Sequence, residues 1–155
     1  MILEKHWMKK IKTRGGTLIS QIHQVCDRVW HRILQQNDMA DVDGARGRVL
    51  FSLWEEDHIP IRRLAEKTSL DKSTLTGILD RLERDDYIER THSSKDRRSI
   101  LISRTKKDDF FKERMPFVSE QMNEIFYKGF TEEEILDFEE KCTRILQNCK
   151  EAEKN

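Results

Sequence analysis

The side chains able to do chemistry are concentrated between residues 71 and 105. The run Asp71-Lys72-Ser73-Thr74-Leu75-Thr76-Gly77-Ile78-Leu79-Asp80-Arg81-Leu82-Glu83 sets small hydroxyl and basic groups opposite an apolar stripe. Tyr87-Ile88-Glu89-Arg90 and Ile100-Leu101-Ile102 then bracket a basic loop, Ser93-Ser94-Lys95-Asp96-Arg97-Arg98-Ser99. A helix that shows small polar side chains can enter the DNA major groove and bond base edges there. A basic hairpin loop beside it can reach phosphates or the adjacent minor groove. The expected chemistry is recognition of double-stranded DNA. Lys72, Ser73, Thr74, Thr76, Gly77 and Arg81 would act from the helix, and Lys95, Asp96, Arg97 and Arg98 from the loop. Arg62 and Arg90 would touch the DNA backbone, and Lys72 suits a phosphate better than a base.

Each of these residues also has a plainer use. Ser and Thr are preferred near helix starts because their oxygens cap free amides; Thr74 in particular can turn back toward the cap. Asp80 and Arg81 can form a solvated helical pair, and Arg62 can simply be exposed.

These groups need elements to position them. Leu18, Ile19, Ile22, Val25, Cys26, Val29, Trp30, Ile33 and Leu34 step by three and four and predict one long helix over residues 17–36. A turn rich in Asp follows, then a shorter helix through Val49, Leu50, Leu53 and Trp54, broken at His58-Ile59-Pro60. Ile61 to Lys67 forms a third helix, buried through Ile61, Leu64 and Ala65. Asp71 is the expected N-cap of the fourth, which buries Leu75, Ile78, Leu79 and Leu82 and ends at Asp85-Asp86. Two short strands enclose the basic loop. Beyond Thr105 a helical pattern resumes, with Pro116 expected to kink or split it. Gly129 ends that segment, and Thr131-Glu132-Glu133-Glu134 reads as a capping box for a last helix carrying Ile135, Phe138, Cys142, Ile145, Leu146 and Cys149 on one face.

The expected fold class is mainly α with a small β-hairpin wing: a winged helix-turn-helix plus a helical dimerisation region. Residues 1–42 and 106–155 would form that region and residues 43–105 the reader. The first helix and the last two are left with unpartnered apolar stripes, and the simplest partner is a second copy of the chain.

Composition narrows the alternatives. The chain has 155 residues, 37% of them charged, and a formal net charge of zero. That total conceals a basic segment from Arg90 to Lys107, opposed only by Asp96, and an acidic one from Thr131 onward. A local positive patch suffices to neutralise several phosphates. No apolar run approaches the ~20 residues of a bilayer span. The N-terminal Lys5, Lys9, Lys10, Lys12 and Arg14 flank no signal-type apolar block, so a cytoplasmic location is expected. Cys26, Cys142 and Cys149 have no C-x-x-C spacing and read as buried thiols, with a redox switch at Cys26 as the alternative. His6, His23, His31, His58 and His92 show no metal-ligand spacing. No nucleophile–base pair or Gly-rich phosphate loop stands out, so no catalytic residue, enzyme activity, metal or cofactor is expected.

The order of elements resembles the MarR family of transcription regulators, most closely from Ala45 to Thr105. Ile61 to Lys67 is similar to that family's first reader helix, Leu70 to Glu83 to its recognition helix, and Asp96-Arg97-Arg98-Ser99 to its D-x-R wing motif. The resemblance implies a homodimer whose outer helices interlock. Each recognition helix would enter a major groove of a pseudo-palindromic operator, and each wing would place Arg98 in the flanking minor groove, oriented by Asp96. It also implies a ligand- or stress-responsive repressor. Small aromatic effectors would bind near His23, Cys26, Trp30, Phe51 and Trp54, residues that otherwise read as core or interface. Two departures stand out: Gly77 replaces a larger polar residue, and Arg104-Thr105-Lys106-Lys107 replaces the usual Leu-Thr-x-x-Gly. A different class of function, a winged-helix module for protein contacts without operator binding, is the competing reading.

Overall fold

The computed structural model describes residues 12–154. His6 and the basic residues before Lys12 lie outside them. Helix α1 (Gly15–Gln36) leads through a short 3-10 turn at Ala40–Val42 into α2 (Gly44–Glu55). Then follow β1 (Ile59–Pro60), α3 (Ile61–Thr68), α4 (Lys72–Arg84), β2 (Ile88–His92) and β3 (Ile100–Arg104). A second 3-10 turn, Lys106–Asp108, opens α5 (Asp109–Phe126), and α6 (Glu132–Glu153) closes the fold.

The wing is a three-stranded antiparallel sheet rather than a bare hairpin. Its order is β1-β3-β2, with Ile59 opposite Ile102 and Arg90 opposite Ile102 on the other side. The expectation at 58–60 was a break alone. His58 does break the helix with φ +57°, but the next two residues pair with β3. A two-residue strand shows no alternation, which is why the pattern could not reveal it.

Apolar spacing predicts much of the core, though of the three residues expected to bury α3 only Leu64 is buried, Ile61 and Ala65 being half-buried. Leu75, Ile78, Leu79 and Leu82 of α4 are buried with Leu50 and Leu53 of α2 and Leu64 of α3. Full burial of one such side chain is worth about 1.5–3 kcal/mol. Ile33 and Leu34 of α1 and Phe111, Met115 and Val118 of α5 are buried too. The outer helices therefore do not lie wholly outside the reader's core; Phe111 meets the ring of Tyr87 at 5.6 Å. One glycine is demanded by packing: a Cβ on Gly47 would lie 1.9 Å from the Val42 carbonyl oxygen.

The chain divides into two compact units, one ending at Val118 and one beginning at Ser119. Helix α5 runs unbroken through Pro116, so the expected split does not occur. In the second unit the capping box is formed as read. Thr131 N donates to Glu134 Oε2 at 2.8 Å, and Glu134 N donates to Thr131 Oγ1 at 3.2 Å. None of α6 is buried. Cys26 and Cys142 are half-buried and Cys149 is exposed, correcting the expectation of three buried thiols.

Candidate nucleic-acid interface

Helix α4 is held by its start. Asp71 caps it, accepting from Thr74 N at 2.9 Å. The same carboxylate accepts from Ser73 Oγ at 2.7 Å and Thr74 Oγ1 at 2.6 Å. These bonds favour the charged form, the Thr74 hydroxyl most and the Ser73 hydroxyl next, and hold the Asp71 carboxyl well below the usual carboxylate range. Thr76 Oγ1 donates to Lys72 O at 2.8 Å. The capping use of Ser73 and Thr74 is thus present alongside their exposure. Asp86, with φ +59°, closes the far end in the left-handed conformation that Asp tolerates.

The outward face of α4 carries exposed Lys72, Ser73, Thr74, Thr76 and Arg81, with half-buried Gly77 among them. A Cβ on Gly77 would meet no atom within 4 Å. Nothing in the protein's packing calls for a glycine there.

The wing loop is shaped by its polar residues. Lys95 N and Asp96 N both donate to Ser93 Oγ, at 3.2 and 3.3 Å. Ser99 N donates to Asp96 O, and Ser93 N to Ser99 O, each at 2.9 Å. Asp96 Oδ1 accepts from the main-chain amide of Arg98 at 3.0 Å. Asp96 therefore folds the turn that presents Arg98 and, in this structure, forms no ion pair with its guanidinium. Lys95, Arg97 and Arg98 are exposed and, among the described residues, in no ion pair, as are Lys72 and Arg81.

Of the rest of the basic segment, Arg90, Arg104 and Lys107 are bonded within the fold and Lys106 is exposed. Arg90 bonds Asp80 at 2.8 Å and also Glu83, tying β2 to α4. Its side chain is only 22% exposed. Two carboxylates already bond it, and it would reach the DNA backbone only by sharing or leaving them. The same bonds correct the Asp80–Arg81 pair: Asp80 belongs to Arg90. Arg104 bonds Asp108 at 3.0 Å and Asp109 at 3.2 Å, and lies 3.5 Å from Asp57. Lys107 Nζ donates to Asp85 O at 2.8 Å. Three residues of the departure at Arg104-Thr105-Lys106-Lys107 thus have structural uses: Arg104 ties β3 to the start of α5, and Thr105 and Lys107 bond the carbonyls of Asp86 and Asp85 after α4. Arg62 is exposed on α3, 3.5 Å from Glu66.

Of the five residues expected around an effector, the structure joins two by direct ring contact. Phe51 meets Trp54 edge-on at 6.0 Å. Trp54 Nε1 donates to buried Asp108 Oδ2, so this indole braces the core. His23 sits 3.4 Å from Asp27 on the exposed side of α1, and Cys26 and Trp30 are half-buried on that helix. Sequence reading missed the Arg104–Asp108–Trp54 junction, whose members lie up to 54 positions apart.

Residues 45–100 match the model of the MarR family. Those residues form a winged helix of MarR type. An organic hydroperoxide resistance transcriptional regulator of Bacillus subtilis is 38% identical over 65 residues, 42% of this chain and 44% of that protein. The HTH-type transcriptional regulator SarZ of Staphylococcus aureus is 35% identical over 71 residues, 46% of this chain and 48% of SarZ. The chain thus spans under half the length of these relatives. A mutant MarR of E. coli crystallised with operator DNA superposes with a TM-score of 0.74 at 26% identity, covering 84% of this chain and 92% of that one. No helix among the described residues is long and apolar enough to cross a membrane.

Proposed function

We propose that this chain is a MarR-family, cytoplasmic, sequence-specific DNA-binding regulator that acts as a homodimer on a pseudo-palindromic operator. One observation carries the reading. Within residues 71–105 the cations without an ion pair, Lys72, Arg81, Lys95, Arg97 and Arg98, stand on the outer face of α4 and on the wing, while Arg84, Arg90 and Arg104 are bonded to carboxylates. A surface meant only to be solvated has no need of that sorting. The E. coli relative held on operator DNA supports the same use of the fold. Arg98, at the turn, is the residue for a flanking minor groove, whose negative potential attracts arginine.

The second copy follows from uncovered apolar side chains. Leu18, Ile19, Ile22 and Val25 of α1 and Leu136, Ile145 and Leu146 of α6 are all exposed. Faces this apolar mark protein contacts. We assign repression relieved by a small aromatic effector to this chain on the family's pattern, with Phe51 and Trp54 as the aromatic corner it would use.

A duplex selected from a randomised pool tests the reading in a salt titration. Binding in the nanomolar range should weaken steeply as salt rises. Arg98→Ala should lower affinity and reduce the logarithmic salt slope by about one. No affinity for any duplex at low salt would instead favour the protein-contact module.

A further inference from the structure

Three hydroxyls stand at the outward start of α4, and the proton of each already has an acceptor inside the protein. Ser73 Oγ lies 2.7 Å from Asp71 Oδ1, and Thr74 Oγ1 lies 2.6 Å from Asp71 Oδ2. Thr76 Oγ1 lies 2.8 Å from the Lys72 carbonyl. A carboxylate and a carbonyl can only accept, so in all three contacts the hydroxyl donates. Asp71 keeps its charge across the neutral range because these same bonds favour it. What remains for a ligand is lone pairs and the threonine methyls. Gly77 adds no donor to this face, and the ammonium of Lys72 is assigned to a phosphate on the operator-binding reading.

Base edges in the major groove differ in what they can offer such a surface. Adenine presents its N6 amino group and cytosine its N4 amino group, both donors. Thymine presents a methyl beside its O4. Guanine presents only the acceptors N7 and O6. Lone pairs set against guanine meet lone pairs.

We infer that the start of α4 reads amino groups, adenine N6 or cytosine N4, and rejects guanine on the strand it faces. The inference rests on the operator-binding reading and adds the chemistry of the half-site to it. Serine and threonine can ordinarily serve either role; here Asp71 and the Lys72 carbonyl remove the choice. Guanine in the same half-site falls to Arg81, about 12 Å further along the helix axis.

The test uses the full chain and duplexes selected from a pool with a randomised core. In the best duplex, the pair under the helix start is set to C·G and then transposed to G·C, and the affinity ratio of the two is measured. The expected ratio is about tenfold or more in favour of the C·G orientation. Asp71→Asn is the decisive variant. Asparagine keeps a cap oxygen for the Thr74 amide, but its amide nitrogen donates and cannot accept. One hydroxyl then regains a free proton, and the ratio should fall toward one. If removing the negative charge were all that mattered, both duplexes would gain equally and the ratio would stand.

A parent protein that binds both orientations alike overturns the inference, as does an Asp71→Asn protein that keeps the ratio. Ser73→Ala covers the case in which the cap variant fails to fold. It should weaken the C·G duplex and leave the transposed one unchanged, whereas equal weakening of both would sink the idea. A parent that binds no duplex at low salt refutes operator binding itself, an outcome distinct from these.

Discussion

Helices α4 and α6 carry the same apolar spacing and meet opposite fates. In α4 the stripe of Leu75, Ile78, Leu79 and Leu82 is closed over by its own chain, with none of the four more than 3% exposed. In α6 Ile145 stays 45% exposed and Leu146 52%, and no residue of the helix is buried. Period 3.6 reports that a face is apolar; it says nothing of what covers it. The difference separates a helix whose apolar face is closed over within its own unit from one whose apolar face stands open.

The largest expected effect tests the closed side. Leu79→Ala removes a fully buried side chain and should cost about 2–5 kcal/mol in thermal or denaturant unfolding. The same change at Leu146 should cost the unit little by itself. If Leu146→Ala proved as damaging as Leu79→Ala in dilute protein, the contrast between the helices would be wrong. Leu146→Asp sharpens the open side. A charge in a self-complementary apolar contact should shift sedimentation toward the single subunit and make unfolding independent of protein concentration. Unchanged sedimentation would remove α6 from the dimer contact.

A similar contrast divides the arginines. Arg90 is bonded to Asp80 and Glu83, while Arg98 is exposed at the wing. Arg90→Ala leaves two exposed carboxylates without their cation and should cost up to about 1 kcal/mol of stability. Arg98→Ala should leave stability within about 0.5 kcal/mol, the range of ordinary surface changes. Unfolding curves and duplex binding for both proteins would show stability and affinity responding to different arginines. An Arg90→Ala protein of unchanged stability with a reduced salt slope would restore Arg90 to the DNA backbone.

Much of this division was legible in the sequence, because its signals are local. The Asp71 cap, the Thr131–Glu134 capping box and the buried stripe of α4 each depend on residues within one or two helical turns. The wing's outward cations followed from loop composition. Other features depend on contacts far apart in the chain. Arg90 and Arg98 look alike in a basic run, and only the approach of Asp80 and Glu83 tells them apart. Strand β1 exists because β3 lies beside it, and Asp108 is buried because Trp54 and Arg104 close over it. Asp96 shows a subtler limit: the motif predicted its partnership with Arg98 but not that the partner is the amide.

Acid should set two aspartates against each other. Burial pushes the Asp108 carboxyl above the usual range, although Trp54 and Arg104 oppose the shift. Its folded form therefore takes up a proton before the unfolded form does. Its contribution to stability grows as pH falls toward the ordinary carboxylate value of about 4. Asp71, held low by Thr74 and Ser73, contributes stability above that value and loses it only in stronger acid. Carboxyl chemical shifts followed by NMR against pH should show Asp108 protonating first. The reverse order would mean that the Arg104 bond outweighs burial.

The smallest effect expected is a gain. Glycine within a helix costs about 1 kcal/mol relative to alanine, and a Cβ at Gly77 would touch nothing within 4 Å. Gly77→Ala should therefore stabilise the chain by up to about 1 kcal/mol and raise its melting temperature by a few degrees. Packing gives no reason for the glycine, and on the operator-binding reading its face is the one that meets DNA. The same variant should bind its selected duplex more weakly, because the added methyl stands where bases or sugar would press against the helix. A protein gaining both stability and affinity would show the face to be less closely fitted than proposed. The closed core of α4 would stand in that case, and only the intimacy of its outer side would be in doubt.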